Sequence, residues 1–285
     1  WINHFYHRDH MKIAVIDGNI AYSGGMNVAD YYIHGKPEIG SWHDMHMRLE
    51  GPVVMRYQQI FRAMWKGETG EDLAPSVYEQ IDSLMRGYQY DGLREDVTKD
   101  AYKKKLGVVF RKPGKDSPMM RNAYVAAIDA AKHHIQIVNP YPTGVYSVRR
   151  ALYRALKRGV RLEFMVSAKS DVPITPDVVA IQMRRLMQRG CEVYYYEEGF
   201  HHSKFMIVDD EFCTIGSANM DARSMLFDYE VNSFIFSKET TKELQQIFER
   251  DKKKCALLTK EGYKKRFNIW HRMVGRIFGA FKGFF

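Results

Sequence analysis

The stretch HSKFMIVDDEFCTIGSAN, residues 202–219, repeats the residue spacing of HMKIAVIDGNIAYSGGMN, residues 10–27. Both copies follow the pattern H-x-K-x4-D-x6-G-x-x-N, and they lie 192 positions apart. The matched pairs are His10 and His202, Lys12 and Lys204, Asp17 and Asp209, Gly24 and Gly216, and Asn27 and Asn219. A dispersed match at one common offset rarely arises by accident, so the chain contains a duplicated unit.

Each copy has the local pattern of a strand, a turn, a second strand and a loop. The continuous apolar runs at residues 13–16 and 205–208 predict strands buried on both faces. Acidic and glycine residues then turn the chain into second strands at residues 20–23 and 212–215. The spacing shared by the two copies therefore places each asparagine on a glycine-containing loop.

The duplicated residues suit displacement at a phosphodiester phosphorus. One imidazole can attack phosphorus while the other, protonated, gives a proton to the departing alkoxide, and a pKa near 6.5 suits histidine to both tasks. Alternate side chains of a strand share a face, so His10 and Lys12 should project together, as should His202 and Lys204. Two ammonium groups and two side-chain amides would then surround the phosphate oxygens. The sequence accordingly predicts no metal and no cofactor.

Asp17 and Asp209 belong to the same motif, and we count them with its catalytic residues. They lie seven positions beyond their histidines, an odd spacing that places them on the opposite face of a regular strand. We therefore favour a role in fixing the adjoining turn over contact with substrate.

At these residues the chain resembles the phospholipase D superfamily, which is named for this HKD motif, and within it the bacterial cardiolipin synthases. The resemblance covers almost the whole chain, and its most specific segment is GSANMDARS, residues 216–224. The other segments that carry it are residues 7–32, 42–54, 135–142, 157–171 and 199–232. It implies an α/β fold with two domains, each a mixed sheet flanked by helices, related by a pseudo-twofold axis. The two motifs would meet at the domain interface.

The resemblance also implies two carboxylates outside the motif that orient the histidines. Glu230, in FDYEVN, matches one of them, and Asp44, in WHDMH, is the candidate for the other. A carboxylate that accepts a hydrogen bond from imidazole Nδ1 fixes the tautomer of the ring. The alternative is a surface acid beside a strand, and it stays open for Asp44 because the spacing there differs from the family's.

The substrate phosphate is expected to lie among the duplicated lysines and asparagines. Ser217 matches the hydroxyl of the family's G-S-x-N, whereas the first copy has glycine at that place. The expected phosphate-binding residues are Lys12, Asn27, Lys204, Ser217 and Asn219. Family precedent makes His10 the nucleophile and His202 the acid and base, although the symmetry of the motifs leaves the reverse assignment open.

Four other histidines show no spacing that would supply three or four metal ligands. They are His43, His46, His133 and His134, and we interpret them as structural. His201 lies one position off the catalytic face and is interpreted as a packing or solvent-facing residue. Tyr141 and Asp171 fall where the family places residues near the active-site mouth, but we interpret them as turn residues.

Composition limits the class of protein. The chain has 285 residues, of which 45% are hydrophobic, and this is enough for two domains. We place them at residues 1–100 and 101–285. The three widely separated cysteines argue against a disulfide framework. A net charge of +9 implies an anionic partner, either phospholipid head groups or nucleic acid.

Residues 264–285 favour lipid over nucleic acid. Aromatic and aliphatic residues recur there at spacings near three and four, with basic residues between them. This pattern predicts an interfacial helix on an anionic membrane surface. The alternative is a helix that packs on the protein's own core. No run of eighteen or more apolar residues is present in the sequence.

The two motifs differ in what precedes them. Only nine residues precede His10, whereas alternating strands and helices lead to His202. We predict these elements at residues 106–110, 118–132, 135–138, 147–158, 160–166, 176–189 and 191–197. A helix is also expected at residues 52–66, and another at residues 75–86. We expect the first domain to be N-terminally truncated, with a membrane-spanning segment in the missing part.

The sequence therefore predicts a phosphatidyltransferase of cardiolipin synthase type, at the bacterial cytoplasmic membrane with its catalytic part facing the cytoplasm. The partners would be phosphatidylglycerol and the membrane surface, and no nucleic acid is expected. The alternatives are a phospholipase D that hydrolyses phospholipid to phosphatidic acid, a nuclease of the same superfamily and a catalytically silent membrane-binding module.

Overall fold

The structure is a computed structural model that describes residues 7–73, 104–114 and 118–280. The strands are β1 (Ile13–Ile16), β2 (Ile20–Gly24), β3 (Ser41–His43), β4 (His46–Glu50), β5 (Lys105–Arg111), β6 (His134–Val138), β7 (Arg161–Ser167), β8 (Glu192–Tyr196), β9 (Gly199–His201), β10 (Phe205–Val208), β11 (Phe212–Gly216), β12 (Glu230–Phe236) and β13 (Cys255–Leu257). The helices are α1 (Tyr31–His34), α2 (Val53–Thr69), α3 (Met119–Ala130), α4 (Tyr146–Lys157), α5 (Thr175–Met187), α6 (Ala222–Leu226), α7 (Lys238–Lys252), α8 (Lys260–Arg266) and α9 (Ile269–Ala280).

The second half of the chain forms an eight-stranded mixed sheet. Its order is β13-β8-β7-β6-β10-β11-β12-β5. β6, β7 and β8 are parallel neighbours, because helices α4 and α5 return the chain to the same end of the sheet. The remaining pairs are antiparallel. This is the predicted mixed sheet flanked by helices.

Helices cover both faces of this sheet, and strand alternation decides which residues meet them. Ile137 and Phe164 point to the layer formed by α3, α4 and α5. Their neighbours Val138 and Met165 point to the opposite layer, which contains α7. Strands sandwiched in this way must be apolar on both faces, and this explains the unbroken apolar run of β10, which is buried throughout.

The first half contributes a three-stranded antiparallel sheet in the order β1-β2-β4. β1 alternates between half-buried and exposed residues, and Ile16 is 47% exposed. Our prediction that residues 13–16 are buried on both faces is therefore wrong. The physical reason is that only the face of β1 that carries Ile13 and Val15 packs against the core containing α2, whereas the face that carries Ala14 and Ile16 is exposed.

The two halves are joined by strand pairing and by a shared core. β3 from the first half pairs in parallel with β9 from the second, with His43 opposite His201. Helix α2 packs against the edge of the large sheet, where the buried hydroxyl of Tyr57 lies 2.8 Å from that of Ser233. These contacts position the first motif against the second.

The C-terminal segment forms two helices, α8 and α9, instead of the single helix that we expected. Phe267, between them, is 5% exposed and packs in the main core. α9 lies directly on α5, since a Cβ at Gly275 would come within 2.3 Å of the backbone oxygen of Asp177. One face of this segment therefore packs on the protein itself, as in the alternative that we considered for residues 264–285. Residues 281–285 lie outside the described residues.

The expected domain boundary near residue 100 and the helix expected at residues 75–86 lie outside the described residues. Within the described ranges, no helix is both long and apolar enough to cross a lipid bilayer.

Candidate active site

The second motif places His202 and Lys204 between β9 and β10, where both side chains are buried. The imidazole Nδ1 of His202 lies 2.7 Å from Asp44 Oδ2, and it lies 3.0 Å from both the Lys204 ammonium and the Tyr32 hydroxyl. The shortest contact, to a carboxylate, assigns the ring proton to Nδ1. Nε2 then carries the lone pair.

The first motif makes the same kind of contact. His10 Nδ1 lies 2.9 Å from Glu230 Oε1, and the carboxylate is fully buried while the imidazole is 27% exposed. The Ser217 hydroxyl donates a hydrogen bond to the other oxygen of Glu230. His10 is itself held on the second half, because its backbone N–H donates to the carbonyl of Tyr229 at 3.1 Å.

The two carboxylates are exchanged between the halves of the chain. Asp44 belongs to the first half and contacts the histidine of the second, whereas Glu230 belongs to the second half and contacts the histidine of the first. Neither histidine therefore finds its carboxylate within its own repeat. The arrangement requires the two halves to be docked.

Charges from both motifs act on one another, which places the two motifs in one site. Burial lowers the pKa of Lys204, the negative charge of Asp44 opposes this and the positive charge of Lys12 adds to it, so that the pKa is about 8. Burial likewise lowers the pKa of Lys12, against the negative charges of Glu230 and Asp44. Two lysines that share two carboxylates form a compact basic centre suited to a phosphate.

The carboxylates stay ionised despite their burial. Burial opposes ionisation of Asp44, but the Lys204 ammonium and the contact with His202 hold its pKa below the usual range. The contacts with His10 and Ser217 similarly outweigh burial and lower the pKa of Glu230. Burial, and then the neighbouring Lys204, lower the pKa of His202 to about 4. His202 is therefore neutral at physiological pH in the resting site.

Ser217 needs correction as a phosphate-binding residue, whereas Asp17 and Asp209, which we counted with the catalytic residues, lie at turns. Ser217 is fully buried, donates to Glu230 and accepts from the backbone N–H of Val231 at 3.0 Å, so its hydroxyl supports the carboxylate and does not face a phosphate. Asp209 lies at the β10–β11 turn, and its carboxylate accepts from three backbone N–H groups. These donors are Lys132 at 2.6 Å, His133 at 2.8 Å and His134 at 2.9 Å. Asp17 is exposed at the corresponding β1–β2 turn.

The turn geometry explains why aspartate occupies both positions. Asp17 and Asp209 each have a φ of 52°, in the left-handed region. Aspartate tolerates this conformation better than most residues other than glycine. Both aspartates thus shape the hairpins, as their odd spacing from the histidines suggested.

The two asparagines differ in their surroundings. Asn219 is 5% exposed, and its side-chain oxygen has no hydrogen-bond partner among the described residues. Asn27 is exposed on the loop after β2. Their role in binding phosphate stays a prediction.

Sequence reasoning missed an aromatic wall around His202. The rings of Tyr32, Trp42, Tyr141 and Phe200 lie with their centroids between 5.3 and 6.3 Å from the imidazole. The Tyr141 hydroxyl donates to Asp171, the other residue that we had set aside as a turn element. Only the position of Tyr141 near the family's active-site mouth pointed to this wall, because the remaining rings come from separate segments.

Sequence reasoning also missed a side-chain cluster behind this site. His43 and His201 both contact Asp251, although we expected His43 to have no metal-like surroundings and His201 to be a simple packing residue. Asp251 lies 208 positions from His43, so no local spacing connects them.

Comparison with known proteins gives consistent matches. A family model described as "Cardiolipin synthase, PLD-like domain" matches residues 124–252. The minor cardiolipin synthase ClsB of Bacillus subtilis is 33% identical over 264 residues, which cover 92% of this chain and 61% of that protein. Cardiolipin synthase 1 of Staphylococcus epidermidis is also 33% identical, over 91% of this chain and 50% of its own length. The chain thus spans only about half to three fifths of these curated relatives.

Among solved structures, the phosphatidylserine synthase of Haemophilus influenzae matches with a TM-score of 0.67 and 13% identity. The match covers 98% of this chain and 69% of that structure. At this identity the likeness concerns the fold.

Proposed function

We propose that the chain belongs to the phospholipase D superfamily and that it is a phosphatidyltransferase of cardiolipin synthase type. The observation that carries the proposal is the pair of carboxylate-bound imidazoles, one from each half, with two lysines beside them. The relatives' names supply the lipid substrates. The donor would be phosphatidylglycerol, and the acceptor would be the head-group hydroxyl of a second phospholipid.

In the first step, Nε2 of one histidine attacks the phosphorus of phosphatidylglycerol. The phosphorus–nitrogen bond forms as the bond to the glycerol oxygen breaks, and the second imidazole, protonated, gives its proton to the departing glycerol. Lys12 and Lys204 stabilise the negative charge that develops on the non-bridging oxygens. The product is a phosphatidyl-histidine intermediate and free glycerol.

In the second step, the acceptor hydroxyl replaces the histidine. The second imidazole, now neutral, takes the proton of the acceptor hydroxyl. The hydroxyl oxygen attacks phosphorus at the same time, and the phosphorus–nitrogen bond breaks. Following the family resemblance, we assign attack to His10 and the acid and base roles to His202. The low pKa of His202 keeps its imidazole neutral, the form that can accept a proton. Its role as acid requires the negative charge of bound substrate to raise that pKa.

Transfer in place of hydrolysis requires water to be kept from the intermediate. The four aromatic rings around His202 form an apolar wall on that side of the site. This wall favours a lipid acceptor over water. Hydrolysis to phosphatidic acid remains the second candidate, because a lipid site with a freely hydrated intermediate would give that product.

Helix α9 supports a membrane location. Ile269, Trp270, Met273 and Ile277 are between 43% and 79% exposed, and they follow one another at nearly helical spacing. Arg272 and Arg276 lie among them. We propose that this face rests on the anionic surface of the bacterial cytoplasmic membrane, from its cytoplasmic side, with the other face packed on α5.

The proposal is tested with vesicles that contain labelled phosphatidylglycerol, with and without EDTA. Cardiolipin plus glycerol is the expected result. Phosphatidic acid would support the hydrolytic alternative, and cleavage of single-stranded DNA without lipid turnover would support a nuclease. His10→Ala and His202→Ala should each abolish turnover, and substantial activity in either variant would refute the paired mechanism.

A further inference from the structure

The strands β3 and β9 carry two sets of side chains to opposite sides. They pair in parallel with His43 opposite His201. Asp44 and His202 follow directly, and the backbone N–H of His202 donates to the carbonyl of His43 at 2.7 Å. Successive side chains of extended chain alternate in direction. Asp44 and His202 therefore enter the reactive site, while His43 and His201 point behind it.

Behind the site, both imidazoles meet one carboxylate at the end of α7. His43 Nε2 lies 2.7 Å from Asp251 Oδ2, and His201 Nε2 lies 3.2 Å from the same oxygen. The two rings are 4.3 Å apart between centroids. One potential ligand atom from each residue lies within 4.8 Å of the other two. Three donors from three separate elements thus converge on one point.

The donor set has the chemistry of a transition-metal site. Imidazole nitrogens and a carboxylate oxygen are donors that such ions take, and both imidazoles present Nε2 to the same carboxylate oxygen. The side chain of His43 is 25% exposed, whereas those of His201 and Asp251 are exposed by 3% or less. An ion and a water ligand can therefore enter beside His43.

We propose that His43, His201 and Asp251 bind one divalent transition-metal ion of the Zn²⁺ or Co²⁺ type, with water completing a tetrahedron. Two imidazoles and a carboxylate are a usual set for zinc, with bond lengths of about 2.0–2.2 Å. The ion replaces the two hydrogen bonds to Asp251. At each histidine the proton moves from Nε2 to Nδ1, so that no proton is released.

Two features limit the affinity of this site. The guanidinium of Arg250 contacts Asp251, with Nε 3.3 Å from Oδ1, and its charge opposes that of the ion. No hydrogen-bond partner faces Nδ1 of His201 within the described part of the chain, and such a partner usually strengthens a ligating imidazole. We therefore expect weaker binding than in a zinc finger. The ion would tie β3, β9 and α7 together directly behind Asp44 and His202, without taking part in phosphoryl transfer.

Metal binding is measured directly, so the result does not depend on enzymatic activity. The intact protein is dialysed against ZnCl₂ and its metal content is determined by mass spectrometry, while CoCl₂ gives a visible spectrum that distinguishes tetrahedral from octahedral coordination. We expect one ion per chain, a tetrahedral Co²⁺ spectrum and a higher thermal unfolding midpoint with metal. His43→Gln and Asp251→Asn should each weaken binding at least tenfold.

The controls separate this cluster from other histidines. His271 forms an exposed pair with Asp177 at 2.9 Å, so His271→Gln removes a single histidine–carboxylate contact and should leave metal binding unchanged. His202→Gln should also leave it unchanged. Loss of binding in His202→Gln would place the ion at the reactive histidines and overturn the proposal. Absence of saturable binding, an octahedral spectrum, or undiminished binding in folded His43→Gln and Asp251→Asn would overturn it as well.

Discussion

The buried carboxylates decide what each reactive imidazole can do. Asp44 and Glu230 hold Nδ1 of His202 and His10, and so leave Nε2 directed away from the contact. Asp44→Asn and Glu230→Gln keep the shape but remove the charge that fixes the tautomer. We expect kcat to fall by about 10²–10⁴-fold in each variant, with little change in KM. Steady-state kinetics on phosphatidylglycerol vesicles measure both quantities.

A matched control exists for this experiment. Asp177→Asn removes a carboxylate outside both motifs, which contacts His271 at 2.9 Å. It should leave kcat within about twofold of the unchanged protein, as expected for a substitution away from the site. Equal losses in all three variants would show that the effect comes from general destabilisation, and the orienting role would be discarded.

Lys204 gives the site a pH dependence. Burial lowers the pKa of Lys204 to about 8, and an ammonium carries its charge only below its pKa. As the pH rises through about 8, the positive charge beside the phosphate is lost, so kcat/KM should fall on that alkaline limb. Arginine stays charged at this pH. Lys204→Arg should therefore lower activity but move the limb to higher pH, as measured by the pH profile of kcat/KM.

Lys12→Arg serves as the comparison for the alkaline limb. It changes the other lysine of the site and should leave a limb near pH 8 in place, because Lys204 is unaltered. A limb that stays near pH 8 in Lys204→Arg would assign the titration to another group.

At the residue scale, the motif could be predicted from its spacing, whereas its carboxylate partners Asp44 and Glu230 could be named only through the family resemblance. The repeated histidines and lysines are visible because their spacing is local. The exchange of Asp44 and Glu230 between the halves depends on how two distant segments dock, and no spacing within either segment encodes it. Ser217 was misassigned for a similar reason. Its hydroxyl faces Glu230, a contact that only the pairing of β11 with β12 creates.

At the element scale, the regular strands and helices of the second half follow the sequence closely. Each of the seven elements predicted between residues 106 and 197 lies within two residues of its observed bounds. These elements are long enough for the periodic spacing of their apolar residues to be recognised in the sequence. β3 and β9 have three residues each and exist because they pair with one another. Asp44 directly follows β3, and His202 directly follows β9. The strands that are hardest to predict from sequence therefore position two residues of the site.

Helix α9 provides a test of membrane contact. Ile277 is 51% exposed on the face opposite the α5 contact at Gly275. Ile277→Glu removes apolar burial of about 1.5–3 kcal/mol and adds a charge that anionic lipid repels. We expect affinity for phosphatidylglycerol vesicles to fall at least tenfold in co-sedimentation. Leu257→Glu, at a β13 residue that is 52% exposed, should change it little. Equal binding by both variants would remove α9 from the membrane surface.

At the scale of the whole molecule, the candidate site is assembled from two halves that each supply part of it. The first half supplies His10, Lys12 and the carboxylate for His202, and the second supplies the reciprocal set. The β3–β9 pair is part of this junction. Its residues lead directly into Asp44 and His202, so a small displacement there separates the carboxylate from the imidazole.

Gly199 is the position at which that junction can be tested. A Cβ at this residue would lie 2.2 Å from the backbone oxygen of Ser41, a contact that forces β3 away from β9. Gly199→Ala should destabilise the protein by about 1–3 kcal/mol in urea unfolding. It should also lower kcat by more than tenfold under conditions where the protein is fully folded, because displacement by 1 Å near reacting groups can cost two orders of magnitude. Gly107→Ala, in β5, introduces a Cβ with no heavy atom within 4 Å. That matched change should leave kcat unaffected, and full activity in folded Gly199→Ala would mean that the two halves do not need this junction to bring Asp44 to His202.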